Sequence, residues 1–310
     1  MLFFKRNKYI IVAYIIVIFI TIFSIYNFFV ANGYFDYNKI KKICYESRNM
    51  ESEVCDGFTK YNWDLEEYLN DDSNTFMGKV KKAGLINLYT NVVVDYPYHA
   101  LQFLSPLIIS LAILGTVHEL VSSGIFKYYL QRMKYKVLLR KIYKKTFLIS
   151  LITPFSLLII FLFMGFLTNF EIADASNFYQ EWFINNFNLY FLTILMIQYL
   201  FNIFCVNLSL FALLSNKNTT LVILKGYLSF FIFNMFYYIV IFSMILRKIL
   251  GLNISYEFFT ITGFWFFNTD INYLLVIPEL IVLVFISFSV LYFFYSNKEK
   301  VIMSSEFINS

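Results

Sequence analysis

The chain contains few of the residues from which catalytic and metal sites are built. Two histidines, three cysteines and four prolines occur among its 310 residues. His118-Glu119 has no second histidine four residues further on, so the zinc-protease pattern is absent. His99 and His118 are separated by roughly 28 Å of helix, so one site cannot use both. A Gly-x-Ser-x-Gly motif is also absent. The sequence therefore predicts that the chain is not an enzyme and holds no metal.

Charge is also scarce. Charged residues make up 15% of the chain, whereas hydrophobic residues make up 59% and phenylalanine occurs 39 times. A soluble domain of this length cannot bury so much apolar surface, which excludes that class. A spanning helix needs about 20 apolar residues. Six runs are long enough, near Tyr9–Val30, Tyr98–Val121, Phe147–Thr168, Phe187–Leu214, Leu221–Leu246 and Tyr273–Tyr295. The sequence predicts an all-α polytopic membrane protein with six transmembrane helices.

The first apolar run is expected to remain in the protein. It is longer than the apolar part of a signal peptide, and Asn32-Gly33-Tyr34 offers no small-residue cleavage pattern. We therefore interpret residues 1–30 as the amino terminus and an uncleaved signal-anchor that forms the first span.

The basic residues predict the orientation of the spans. The segment Glu119–Lys145 contains no acid after Glu119, and its apolar and basic residues recur every three or four positions, which predicts a helix over about 122–145. Its eight basic residues are Lys127, Arg132, Lys134, Lys136, Arg140, Lys141, Lys144 and Lys145. Cytoplasmic loops carry an excess of Lys and Arg. Because Asn169–Asn186 carries three acids and no base, we expect both termini to lie in the cytoplasm and the chain to lie in the plasma membrane.

Residues 31–97 have the composition of a soluble segment, with eleven acids against eight bases. The predicted orientation makes them an extracellular insertion after the first span. Cys44 and Cys55 would face an oxidising exterior, where a disulfide would stabilise a small domain with little core. Two unpaired thiols are the alternative. Zinc is not expected there, and Cys205 in the fourth span is interpreted as a small packing residue.

The connection between the fifth and sixth spans is unusually apolar. Residues of about 249–268 are too hydrophobic for free solvent and too short and interrupted to span, with Gly251 and Gly263 as breaks. They predict a re-entrant hairpin that dips into the outer leaflet before the sixth span. A loop lying in the interface, where Trp, Tyr and Phe are common, is the alternative.

A few polar residues lie inside the predicted spans. Gln198, Asn202, Cys205 and Ser209 share one face of the fourth span. They form either a substrate path or a set of interhelical hydrogen bonds, and Asn234 in the fifth span has the same two interpretations. Glu279 follows Pro278 and is a candidate for the substrate path, because ionisable groups within membranes are costly. Its alternatives are solvation at the interface and pairing with Arg247 or Lys248.

The arrangement resembles the ABC-2 family of transporter permeases. The shared features are six spans, an outer insertion after the first, a basic helix between the second and third, and a re-entrant hairpin before the sixth. Family members commonly carry a Glu near the inner end of the second span, then a Gly, then a helix with Leu, Arg and Lys. The matching residues are Glu119, Gly124, Leu130, Arg132, Leu138 and Lys141 or Lys144, and Phe293–Lys300 resembles the family's ending.

This resemblance implies the membrane-spanning subunit of an ATP-driven exporter. The chain has no phosphate-binding Gly-rich loop, so ATP and Mg²⁺ would bind a separate ATPase subunit present in two copies, and this chain would hold no cofactor. A second permease, identical or related, would complete the complex. The helix near Ser122–Gln131 would lie in a groove of the ATPase. The residues expected to couple the two are Glu119, Gly124, Phe126, Tyr129 and Arg132.

The resemblance also implies the substrate class. Apolar, aromatic-rich seams suit amphipathic or hydrophobic molecules, and bacterial relatives favour peptides. We expect no nucleic-acid partner. Besides the ATPase subunits and the second permease, the expected partner is the lipid bilayer. The alternative is a stand-alone membrane receptor or immunity protein that binds a peptide through residues 31–97.

Overall fold

The computed structural model describes residues 7–39, 71–122, 131–132, 134–170, 187–249, 251, 273–297 and 301. Every regular element in this part of the chain is helical, as predicted. The helices are α1 (Lys8–Ala31), α2 (Phe76–Val94), α3 (Tyr96–Ser122), α4 (Tyr135–Ile149), α5 (Ile152–Thr168), α6 (Phe187–Leu210), α7 (Thr219–Phe236) and α8 (Tyr273–Ser296). A 3₁₀ turn at Asp72–Asn74 precedes α2, and α7 continues as a π-helix, π1, from Tyr237 to Ile249.

Within the described residues, six helices are long and apolar enough to cross a membrane, which confirms the six predicted runs. They are Lys8–Ala31, Tyr96–Val121, Tyr135–Thr168, Phe191–Leu210, Thr219–Phe236 and Ile277–Ser296. The third is 34 residues long because α4 and α5 follow each other directly, with a turn at Ser150 and Leu151. The apolar run from Phe147 therefore marks only the second part of a longer helical stretch that begins in the basic segment.

Several predicted features lie outside the described residues. They are the pair Cys44 and Cys55, the segment 123–130, and the re-entrant segment except Ile249 and Gly251. These features stay predictions.

The chain forms two compact units. Unit 1 contains Met1–Phe19, His99–Leu157 and Gln180–Ser310, and unit 2 contains Ile20–Tyr98 and Leu158–Tyr179. In unit 1, α6 occupies the centre, since it contacts α4, α7 and α8. Residues 201–210 of α6 are all buried. Gly226 of α7 lies against Leu114 of α3, so a small residue permits close approach of these helices.

Unit 2 packs part of the predicted insertion against α1. The rings of Phe29, Tyr34 and Phe76 lie 5.0 to 6.3 Å apart. Lys79 Nζ donates to the Gly33 carbonyl at 2.8 Å. Thr75 caps α2, because its hydroxyl accepts from the Gly78 amide at 3.0 Å. The sequence analysis did not predict α2, whose polar and apolar residues follow no clear helical period.

Candidate functional site

Several helix ends meet in unit 1 at what we name the basic end: residues 7–9, 115–119, 134–145 and 216–219. Lys8 Nζ lies 2.6 Å from Glu119 Oε1, with both side chains nearly half exposed. The Tyr9 ring lies against Gly115, where a Cβ would be 2.5 Å from Tyr9 Cγ. Lys145 Nζ donates to Asn7 Oδ1 at 3.3 Å. The start of α1, the end of α3 and the basic helix α4 are therefore held together.

Of the five predicted coupling residues, the structure describes two. Glu119 forms the ion pair with Lys8. Such an exposed pair contributes at most about 1 kcal/mol to stability. Arg132 is exposed. Gly124, Phe126 and Tyr129 lie outside the described residues, so their predicted role in coupling stays a prediction.

Helix α4 is amphipathic. It buries Leu138, Thr146 and Ile149 against unit 1. Its other face exposes four cations, Lys136, Arg140, Lys141 and Lys144. An exposed basic face of this kind suits a negatively charged partner.

Tyrosine side chains attach α4 to the ends of α8 and α6. Tyr135 Oη donates to the Tyr295 carbonyl at 2.7 Å, and Tyr295 Oη donates to the Leu210 carbonyl at 2.6 Å. The Tyr143 ring lies 5.0 Å from the Phe288 ring. A displacement of α4 would therefore be transmitted to α8 and α6. Sequence reasoning missed these contacts, because nothing distinguishes Tyr135 and Tyr295 among 25 tyrosines.

His118 fixes the α6–α7 connection to the end of α3. Its Nε2 lies 2.9 Å from the Asn216 carbonyl, and its Nδ1 lies 3.0 Å from Thr219 Oγ1. Because a carbonyl only accepts, Nε2 carries the hydrogen and Nδ1 accepts from the threonine hydroxyl. The imidazole is buried and both nitrogens are satisfied. This arrangement is that of a structural histidine.

The four-residue stripe of α6 faces other helices. Asn202 Nδ2 donates to the Ser150 carbonyl at 2.8 Å and to Thr153 Oγ1 at 2.6 Å. Thr153 Oγ1 donates to Gln198 Oε1 at 3.4 Å. Ser209 and Ser110 share a hydrogen bond of 2.7 Å, and Cys205 is buried. This geometry favours interhelical hydrogen bonding, one of the two interpretations that the sequence leaves open.

Pro154 explains why Asn202 is placed there. In a continuous helix, the amide of residue 154 would donate to the Ser150 carbonyl. Proline has no N–H, so that carbonyl lacks its usual donor at the join of α4 and α5. The Asn202 amide takes the donor's place. On the other side of the join, Tyr14 Oη donates to the Leu148 carbonyl at 3.0 Å. The sequence alone does not show that Asn202 lies beside Pro154, because this depends on how the helices pack.

Two candidates for the substrate path lie on α7 and α8. Asn234 is half-buried on α7. Glu279 Oε1 accepts a hydrogen bond from Tyr237 Oη, where α7 passes into π1. Its Oε2 is buried and has no hydrogen-bond partner among the described residues. In the same part of the chain, no hydrogen bond joins Asn234 or Glu279 to the α6 stripe.

Comparisons with known proteins give no match for this chain. No family model matches the chain. No curated protein and no solved structure matches it either. Within the described ranges, no group of three or more His, Cys, Asp or Glu side chains is placed to hold a metal.

Proposed function

We propose that the chain is the membrane-spanning subunit of an ATP-driven exporter of the ABC-2 type, which receives force from a separate ATPase at its basic end. The observation that carries this proposal is the attachment of α4. A helix with four exposed cations donates through Tyr135 to the end of α8, and Tyr295 of α8 in turn donates to the end of α6. A receptor that only binds a ligand does not need a charged helix connected in this way to two spans.

The partners follow from the same arrangement. The preceding segment, 122–131, would dock on the ATPase, and α4 would carry its movement to the spans. Two ATPase subunits would bind ATP and Mg²⁺, and a second permease, identical or related, would complete the path. An amphipathic or hydrophobic substrate, a peptide before others, suits the apolar spans. The basic end would face the cytoplasm, as its Lys and Arg content predicts.

Replacing Gly124 and Phe126 with glutamate is expected to detach the ATPase. An unpaired carboxylate buried in an interface costs more than about 1.4 kcal/mol, so binding should fall at least about tenfold. The tagged chain and its variant are isolated from native membranes in mild detergent. ATP hydrolysis and the amount of nucleotide-binding protein are then measured in each isolate, together with the elution volume of the tagged chain.

A matched control adds the same charge elsewhere at this end. Ser215 is exposed in the α6–α7 connection, so Ser215→Glu should leave ATPase binding unchanged. Equal ATPase binding by the wild type and the Gly124 and Phe126 variant, with normal elution of both, would contradict the proposed coupling role.

A further inference from the structure

Glu279 lies near the start of the membrane-spanning part of α8, which runs from Ile277 to Ser296. The helix runs for 24 residues from Tyr273, and Glu279 is the seventh of them. At 1.5 Å per residue, α8 is about 36 Å long and the Glu279 backbone lies about 9 Å from its first residue. Counted from Ile277, where the apolar span begins, the Glu279 backbone lies two residues, or about 3 Å, inside the span.

The carboxyl is only half satisfied by its surroundings. Tyr237 donates to Oε1, whereas Oε2 is enclosed and has no hydrogen-bond partner in the described ranges. Pro278 has no N–H, so the Leu274 carbonyl lacks the donor that a regular helix would supply.

No described cation neutralises this carboxyl. Lys248 of π1 is exposed, and in the described part of the chain the ion pair is that of Lys8 with Glu119. The titratable or charged side chains described on the elements that contact α8 are Tyr199 and Cys205 on α6, Lys225, Tyr227 and Tyr237 on α7 and π1, Lys248 on π1, and the tyrosines and bases of α4. Of these, Tyr237 is the one that hydrogen-bonds to Glu279.

An ionised carboxylate in this position would carry an enclosed oxygen with neither a cation nor a donor. Such a charge in an apolar environment is far more costly than a neutral acid, and the group normally takes up a proton. Because Oε2 is enclosed, the ligand that neutralises it must be very small. A proton meets this requirement.

We propose that Glu279 is a proton-binding site inside the membrane, with Tyr237 holding the protonated carboxyl between α8 and the junction of α7 with π1. This inference is independent of the proposed transport function, since it concerns one side chain and its neighbours. It applies equally to a permease and to a receptor.

The test uses an apolar carbodiimide, which reacts with protonated carboxyl groups in lipid. The acid adds across the C=N bond, and the adduct rearranges to a stable N-acylurea. The full chain in lipid nanodiscs is treated with dicyclohexylcarbodiimide over a range of pH, and modified peptides are quantified by mass spectrometry. At neutral pH, Glu279 should be modified at least about tenfold more than Glu119, which is exposed and ion-paired.

Two variants test whether modification of Glu279 depends on its contact with Tyr237 or only on access of the reagent to the carboxyl. Tyr237→Phe removes the hydrogen bond that positions the carboxyl, so the pH profile of Glu279 modification should change. Tyr199→Phe on α6 is the matched control and should leave the profile unchanged. Glu279 that resists the apolar reagent at neutral pH, yet reacts with a water-soluble carbodiimide as Glu119 does, would overturn the proposal.

Discussion

A Gly226→Leu substitution is expected to destabilise unit 1 strongly, because it would force α3 and α7 apart. Gly226 lies where α3, α6 and α7 meet, and a Cβ there would lie 2.3 Å from Leu114 Cδ1 and 3.4 Å from Ser110 Oγ and Ser209 Cβ. Leu114 is fully buried and has little room to move. Overpacking a dense interior costs about 1–3 kcal/mol, and larger side chains force helices apart.

The measurement is the folded fraction in detergent as a function of added denaturing detergent. Gly226→Leu should unfold at a clearly lower detergent concentration than the wild type. Gly226→Ala should unfold at a concentration between those of Gly226→Leu and the wild type. Leu224 is exposed on the same helix, so Leu224→Phe adds volume without a clash and serves as the control. Equal unfolding of Gly226→Leu and the wild type would show that α7 does not pack closely on α3.

An Asn202→Leu substitution should weaken the join of α4 and α5. It removes the donor that replaces the missing amide of Pro154 and leaves the Ser150 carbonyl without it. Interhelical hydrogen bonds in membranes contribute about 0.6 kcal/mol each and up to about 1.7. Asn202 forms two of them, while its Oδ1 is buried without a described partner, and losing that oxygen offsets part of the cost. A net loss of about 1–2 kcal/mol is expected.

The proline provides an internal check. In a Pro154→Ala background, the new amide can donate to the Ser150 carbonyl, so Asn202→Leu should cost less than it does in the wild type. Unfolding of all four proteins, followed under identical conditions, gives the coupling between the two sites. If Asn202→Leu lowers the free energy of unfolding equally in both backgrounds, the Asn202 amide does not replace the missing N–H of Pro154 as donor to the Ser150 carbonyl.

The six spans could be predicted from the sequence because the bilayer imposes a strong constraint. Backbone groups in lipid must be satisfied within the segment, so each span needs about 20 apolar residues in one helix. Basic residues grouped at one end were equally visible, and the contacts of Lys8, Glu119 and Lys145 bring several of them together. Segment length, hydropathy and charge are summed over many residues, so a single exceptional residue changes them little.

Local contacts could not be predicted in the same way. Helix α2 combines Lys79, Lys81 and Lys82 with an apolar second half, so neither a soluble nor a spanning pattern dominates it. The bonds of Tyr135 and Tyr295 to carbonyls depend on which helix ends meet, which hydropathy does not specify. The role of Asn202 depends on a proline 48 positions earlier in the chain. Such pairings require knowledge of how the helices pack.

The proposed function rests on a motor that acts from outside this chain, and the most direct test is to identify what the wild-type protein binds. The tagged chain is purified from its native membrane in mild detergent, and its stoichiometric partners are identified by mass spectrometry. We expect an ATP-binding subunit in equal number to the permease chains, retained through gel filtration. A chain that elutes alone, or bound to copies of itself without any nucleotide-binding protein, would contradict the exporter and favour a receptor or immunity function for residues 31–97.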